Sequence, residues 1–193
     1  MFTIVLLGAP GAGKGTQAKL IAEKFHFAHI STGDLFRNNI KNSTPLGLEA
    51  KSYIDRGALC PETLTINMLH DHLQKLPCDI QGCILDGVPR TIEQANMLAG
   101  IDYPHQLPIN LVVNLVVDQD EISKRMIKRA EIEHRSDDTP EVIKQRLANY
   151  FAQTKPLEDY YAAKGLLRHI NGMDTVENIS EEICRIIAEE MEK

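Results

Sequence analysis

Thr3-Ile4-Val5-Leu6-Leu7-Gly8-Ala9-Pro10-Gly11-Ala12-Gly13-Lys14-Gly15-Thr16 is the stretch from which the rest of the chain can be read. Thr3 to Leu7 is short, apolar throughout and rich in β-formers, the pattern of a parallel strand covered on both faces. Glycines interrupt it at once, and a helical pattern runs from Lys14 to about Phe25. The spacing Gly8-x-x-x-x-Gly13-Lys14 is that of a phosphate-binding loop. Glycines let successive backbone N–H groups converge on phosphate oxygens without side-chain clash. The helix N-terminus adds partial positive charge, and Lys14 supplies a full charge for the β- and γ-phosphates of a nucleotide. With glycine at about 7% of residues, four at fixed places recur by chance in roughly 2 of 100,000 windows. A Gly-rich turn without a ligand is therefore a poor account of the run.

Gly15 stands where a Ser or Thr usually follows the lysine, and the hydroxyl comes one place later, at Thr16. A magnesium ion would then be held mainly by nucleotide phosphates and by waters, which it keeps readily. Asp86, at the end of a later strand, is placed to orient those waters, because open parallel sheets bind ligands beyond the carboxyl ends of their strands.

Outward from this loop, short apolar runs alternate with helical patterns. Further strands are predicted at Phe27 to Ser31, Gly82 to Leu85 ending at Asp86, Leu111 to Val117, and Leu166 to Ile170. Helices are predicted over about 34–42, 46–56, 61–75, 91–99, 119–129, 140–163 and 175–191, with Thr139 as N-cap and Pro140 in the first helical position. Such alternation implies an α/β domain with a parallel sheet and helices on both faces. The 193 residues suffice for one domain. A net charge of −6 gives no global basic field for nucleic acid, so an anionic substrate needs local positive charge. Cys60, Cys78, Cys83 and Cys184 form no Cys-x-x-Cys pair and read as buried apolar residues or incidental thiols. No leader pattern precedes the first strand and no apolar run approaches ~20 residues. A cytoplasmic protein without membrane attachment is expected. Nothing demands an oligomer, so a monomer is expected too.

Arginines carry the next layer. Arg37 follows the second strand and Arg90 the third. Arg125 and Arg129 share one helix face. Arg135 precedes the helix that begins near Thr139, and Arg146 lies within it. Guanidinium groups bind phosphate bidentately and keep their charge. Any one of these six, taken alone, reads as a solvated surface charge.

Several spaced motifs resemble those of the adenylate kinase family: Gly8 to Gln17 (GAPGAGKGTQ), Ser31 to Arg37 (STGDLFR), Leu85 to Ala95 (LDGVPRTIEQA), Arg125-x-x-x-Arg129, Arg135-x-Asp137-Asp138, Arg146, and Thr154-x-Pro156 with Tyr160-Tyr161. The resemblance runs essentially end to end. It implies a three-layer P-loop kinase fold with a five-stranded parallel sheet, a core of 1–30, 61–127 and 139–193, a mobile monophosphate-binding segment of 31–60, and a short lid of 128–138. It implies reversible transfer of a phosphoryl group from Mg·ATP to AMP, giving two ADP. ATP would be held by Gly11, Ala12, Gly13, Lys14, Gly15, Thr16 and Arg125, with its adenine near Gly172 and Asp174. AMP would meet Thr32, Arg37, the backbone at Ala58, Leu59 and Cys60, the turn Gly87, Val88, Pro89, Arg90, and Gln94, with Arg135 and Arg146. Lys14, Arg90, Arg125, Arg129, Arg135 and Arg146 would carry the catalysis, and Asp86 the water-mediated magnesium contact. Thr32 and Gln94 suit an adenine edge.

The chain departs from the family at three places. Val88 stands where an aromatic is usual, Cys60 where an aliphatic is, and Ala130-Glu131-Ile132-Glu133-His134 replaces the usual Gly/Thr/Ser-rich lid tip. The alternation Glu131-Ile132-Glu133 predicts an extended turn with both carboxylates outward and Ile132 on the opposite side. The longer zinc-bearing lid is missing and no cysteine cluster replaces it, so no zinc is expected.

An acceptor phosphate is already mostly ionised at pH 7, its second pKa being about 6. A kinase acting on it needs no general base, whereas one acting on a hydroxyl wants a placed Asp. Arginines in place of such an Asp fit a phosphate acceptor. Two other readings remain. Pyrimidine monophosphate kinases tend to have Ala at the Thr32 position and Asn at the Thr91 position, so Thr32 and Thr91 favour AMP. A P-loop switch protein usually needs an Asn-Lys-x-Asp motif for guanine, which this sequence does not contain.

Overall fold

The computed structural model describes residues 1–100, 107–133 and 139–193. Five strands, β1 (Phe2–Leu7), β2 (Phe27–Ser31), β3 (Gly82–Asp86), β4 (Leu111–Val116) and β5 (Leu167–Asn171), form one sheet in the order β2-β3-β1-β4-β5. Every neighbouring pair is parallel, with Leu6 opposite Asp86 on one side and Leu7 opposite Asn114 on the other. The chain therefore leaves β1 at Gly8 midway along the carboxyl edge of the sheet. Helices α1 (Lys14–Phe25), α2 (Thr32–Lys41), α3 (Pro45–Ile54), α4 (Glu62–Leu73), α5 (Ile92–Ala99), α6 (Gln119–Glu133), α7 (Pro140–Asn149), α8 (Leu157–Ala162) and α9 (Val176–Met191) complete the described elements, with a π-helical turn at Tyr150–Thr154.

Side chains alternate across the sheet, and each face finds its own cover. On one face Ile4, Leu6, Ile84, Leu111 and Val113 pack with Ala18 and Ile21 of α1 and with Ile183 and Ile187 of α9. On the other, Val5, Leu7, Leu85 and Val112 meet Leu69 and Leu73 of α4, Leu98 of α5 and Leu157 and Tyr161 of α8. Two smaller clusters flank the carboxyl edge. Ala9, Ile122, Met126, Ile143 and Leu147 seat the phosphate loop against α6 and α7. Phe36, Ala50, Cys60 and Met68 hold α2 and α3 onto α4. At the opposite edge of the sheet Gly82 enters β3 where no side chain fits. A Cβ there would lie 2.5 Å from the Phe2 carbonyl oxygen and 2.8 Å from the Phe27 ring.

All five strands lie within one residue of their expected places. Thr139 does cap α7, accepting from the Val142 N–H at 3.4 Å, and Pro140 opens the helix. Two expectations are corrected. The single helix expected over 140–163 is three pieces, because Pro156 lacks the N–H that would continue the ladder and the turn before it widens to π geometry. The extended lid tip expected around Glu131-Ile132-Glu133 is helical, since α6 continues through Glu133. Lys128, Arg129, Ala130 and Glu131 are all strong helix formers with no Gly or Pro among them. Ile132 is exposed there at 67%. Arg135, His134, Asp137 and Asp138 lie outside the described residues. No described helix is long and apolar enough to cross a membrane.

Candidate active site

Gly8, Gly11 and Gly13 all take positive φ, and Gly13, at φ 96°, is the residue from which α1 starts. Lys14 folds back over this loop, its Nζ donating to the carbonyls of Gly8 at 2.7 Å and Ala9 at 2.9 Å. Burial pushes the Lys14 ammonium down to about 8. Asp86 opposes that shift, while Arg90, Arg146 and Arg129 add to it by charge repulsion. Three of the expected catalytic arginines therefore lie within electrostatic reach of Lys14, an arrangement that favours an anion among them.

Asp86 ends β3 beside this group. Burial alone would raise its pKa, but the His29 imidazole, Lys14 and Arg90 outweigh burial and hold the carboxyl below its usual range. His29 Nε2 stands 3.5 Å from Asp86 Oδ2. A Cβ at Gly15 would lie 3.4 Å from the same oxygen, so a side chain after Lys14 would stand against this ionised carboxylate, and glycine leaves only backbone there. That arrangement fits a hydrated magnesium ion, whose waters a carboxylate can accept from. Among the described residues no three His, Cys, Asp or Glu gather as a metal-binding cluster.

A cleft of about 760 Å³ runs along the loop, lined by Gly11 to Gln17, Asp86, Arg125, Arg129, Arg146 and Asp174 among others. Arg125 spans from α6 to the loop after β5. Its Nε donates to Glu121 at 2.8 Å and its Nη1 to the Gly172 carbonyl at 3.1 Å. Two edges of the guanidinium are thus occupied within the protein, and its flat face is the natural surface for a base. Asp174 lines the cleft, but its Oδ1 also accepts from the Thr175 N–H and from Asn178, at the start of α9.

A smaller pocket adjoins the cleft. Thr32, Arg37, Ala58, Leu59, Cys60, Gly87, Arg90, Gln94 and Arg146 line it, and Gly57, Arg90 and Arg146 belong to both cavities. Arg90 is fixed at three points. Its N–H donates to Gln94 Oε1 at 2.7 Å, its Nε to the Gly87 carbonyl at 2.8 Å, and its own carbonyl accepts from Thr154 Oγ1 at 2.9 Å. With Oε1 accepting from Arg90, the Gln94 NH₂ is the end left to donate to a ligand, matched to an unprotonated ring nitrogen. Thr91 caps α5 by accepting from the Gln94 N–H at 3.1 Å. Thr32 Oγ1 lies 3.4 Å from the Asp86 carbonyl. Arg37 pairs with Asp34 at 2.6 Å. Burial pushes the Cys60 thiol up to about 11, so it lines the pocket as a neutral group.

The structure brings the expected residues together with three exceptions. Gly172 lines neither cavity and joins the site only through its carbonyl on Arg125. Val88 is buried in the core at 1% exposure and lines neither cavity, while Pro89 borders the larger one. Arg135 falls outside the described residues. Reasoning from the sequence missed His29, Glu121, Phe36, Thr65, Asn149 and the part Thr154 plays. Phe36 and Thr154 stood in quoted motifs, and Glu121 acts on Arg125 of its own helix, whereas His29 and Asn149 act through partners far along the chain and carry no local signal.

A family model described as adenylate kinase matches residues 6–166. An adenylate kinase of Leptospira biflexa is 46% identical over 187 residues, covering 97% of this chain and all of that protein. One of Bacteroides fragilis is 45% identical over 187 residues, covering 97% and 98%. One of Lactobacillus gasseri is 40% identical over 218 aligned positions, covering 98% and 100%.

Proposed function

This chain belongs to the adenylate kinase family, and from that premise we propose how its cleft performs reversible phosphoryl transfer from ATP to AMP, giving two ADP. One observation carries the assignment of the two halves. The phosphate loop lines one cavity, Thr32 and Gln94 line the other, and Gly57, Arg90 and Arg146 border both. Two nucleotides placed so would meet phosphate to phosphate at the shared wall.

ATP lies along Gly11 to Thr16 with its base toward Arg125, Gly172 and Asp174. AMP lies in the smaller pocket with its base at Thr32 and Gln94 and its phosphate toward Arg37, Arg90 and Arg146. The AMP phosphate is already ionised and attacks without a base. The main obstacle is repulsion between two polyanions. Lys14, Arg90, Arg129 and Arg146 offset it and stabilise charge on the equatorial oxygens of the group in transit. Arg135 joins them in this proposal, as the resemblance implies. Magnesium, bound with ATP, supplies further neutralisation at the phosphates, and Asp86 would orient its waters. Residues 31–60 act as the monophosphate-binding segment and 128–138 as the short lid, whose closure keeps water from the phosphoryl group. The protein works as a monomer in the cytoplasm.

A coupled assay with ATP, magnesium and each nucleoside monophosphate in turn tests this reading. ADP formation dependent on AMP is expected. Formation dependent on UMP or CMP instead, or on no monophosphate, would overturn it.

A further inference from the structure

Gly57 sits at the turn between α3 and the backbone run Ala58 to Cys60, with φ +70°, and it borders both cavities. A Cβ there would lie 3.0 Å from the Val142 carbonyl oxygen and 3.1 Å from Arg146 Cγ. A residue with a side chain would be strained by this backbone and crowded by α7, so glycine lets the turn press directly against that helix. One hydrogen bond closes the contact: Asn149 Nδ2, at the end of α7, donates to the Gly57 carbonyl at 2.8 Å. Another orients it, since Gln145 Nε2 donates to Asn149 Oδ1 at 3.0 Å. With Oδ1 taken by a donor from its own helix, the NH₂ end is the one that faces Gly57. Arg146 lies three residues before Asn149 on the same helix, and both border the cleft.

Building on the adenylate kinase reading, we propose that Asn149 is a positioning residue for the acceptor nucleotide. Its amide, oriented by Gln145, pins the Gly57 carbonyl and so fixes the Ala58–Cys60 backbone relative to the guanidinium of Arg146. Substrate need not touch Asn149. The side chain sets the distance between the strip of backbone that would receive AMP and the cation that would meet the transferring phosphate. In the donor half the phosphate loop is seated by an apolar cluster in which Asn149 takes no part. Loss of the bond therefore shows in the use of AMP and spares ATP.

The test compares Asn149→Asp, Asn149→Ala and Asn149→Gln with the wild-type protein. Asp keeps the size but turns an acceptor toward the Gly57 carbonyl, Ala deletes the contact, and Gln keeps a donor. KM for AMP is expected to rise about tenfold in the Asp variant and about fivefold in the Ala variant. KM for ATP should stay within about twofold, and Gln should recover most of the loss. Backbone amide exchange over 55–60 in the nucleotide-free protein should speed up in Asp and Ala but not in Gln. An unchanged AMP KM and unchanged exchange in the Asp variant would overturn the proposal. So would equal rises in both KM values with a matching loss of thermal stability, which would mark a merely structural residue. If wild-type protein made no ADP from AMP, the functional reading would fall, while the exchange measurement would still decide whether Asn149 holds this turn.

Discussion

Around the phosphate loop the cleft-facing groups belong to one unbroken run, Pro10 to Thr16, whereas the adjoining pocket draws on α2, the Gly57 to Cys60 turn, the turn after β3, α5 and α7. The loop offers backbone N–H groups and one lysine, and a five-residue apolar cluster backs it. The pocket is assembled by side chains gripping backbone across the chain: Gln94 and Thr154 on Arg90, Asn149 on Gly57. A separate four-residue cluster supports it. A site made of contiguous backbone tolerates changes around it but depends on its single charge. A site made of clasps spreads its dependence, so each loss is smaller and specific to one substrate.

The sharpest way to break that contrast is Lys14→Met. Removing the one full charge of the loop should lower kcat by about 100-fold or more, with circular dichroism unchanged. A variant keeping more than about a tenth of wild-type kcat would show that the arginines suffice. Gln94→Ala comes next. The lost donor and the orphaned Arg90 N–H should raise the AMP KM by roughly 20-fold, within the ~1–3 kcal/mol of an unmade buried contact. The ATP KM should be unaffected, and equal changes in both would erase the distinction between the halves.

The Lys14 ammonium offers a test without mutation. Its pKa in the free protein is lowered to about 8, so it is charged below that pH and increasingly neutral above it. A bound polyphosphate favours the charged form and raises the pKa again. ATP binding should therefore take up a proton and weaken by about tenfold between pH 7 and pH 9. Calorimetry in buffers of different ionisation enthalpy reads the proton directly, and Lys14→Met should abolish the uptake. A smaller effect is expected from Thr154→Val, which keeps the shape but frees the Arg90 carbonyl. A drop of about fivefold in kcat/KM for AMP would match the loss of one neutral hydrogen bond. Smallest is Glu131→Gln. Glu131 is exposed near the end of α6, where a single charge is worth under ~1 kcal/mol. The ATP KM should move by less than about twofold, and still less at high salt.

The same contrast explains what the sequence made legible. Apolar runs fixed by a two-sided sheet were readable to within a residue, because burial on both faces leaves a strand few alternatives. Gly8 to Lys14 was readable because the residue types and the geometry coincide in one segment. Resemblance supplied the pocket residues Thr32, Arg37 and Gln94, yet how they are held was not visible. Which way the Gln94 amide turns on Arg90, four residues off, is not declared by residue type, and Asn149 reaches Gly57 across 92 positions. The reading failed at α6 and α7 for opposite reasons. Helix propensity overrode the alternation at Glu131-Ile132-Glu133, whereas Pro156 and the Thr154 contact overrode the helical pattern of 140–163.

The sheet order also governs how the chain is made. On a ribosome β1 emerges before any strand that pairs with it. β2, the next strand out, is not its neighbour, because β3 must later slide between the two. At ~5–20 residues per second, Gly82 follows Phe2 by roughly 4–16 s. Throughout that interval an apolar strand that will be the centre of the sheet has neither partner. Phe2, Phe25 and Phe27, whose rings end 5.6–6.1 Å apart in successive pairs, can gather early around α1. The arriving strand must then pass beneath them. Its leading residue is Gly82, where any side chain would strike the Phe2 carbonyl or the Phe27 ring. The bare backbone at that position serves as a slot, through which the last piece of the nascent half-sheet can be threaded home.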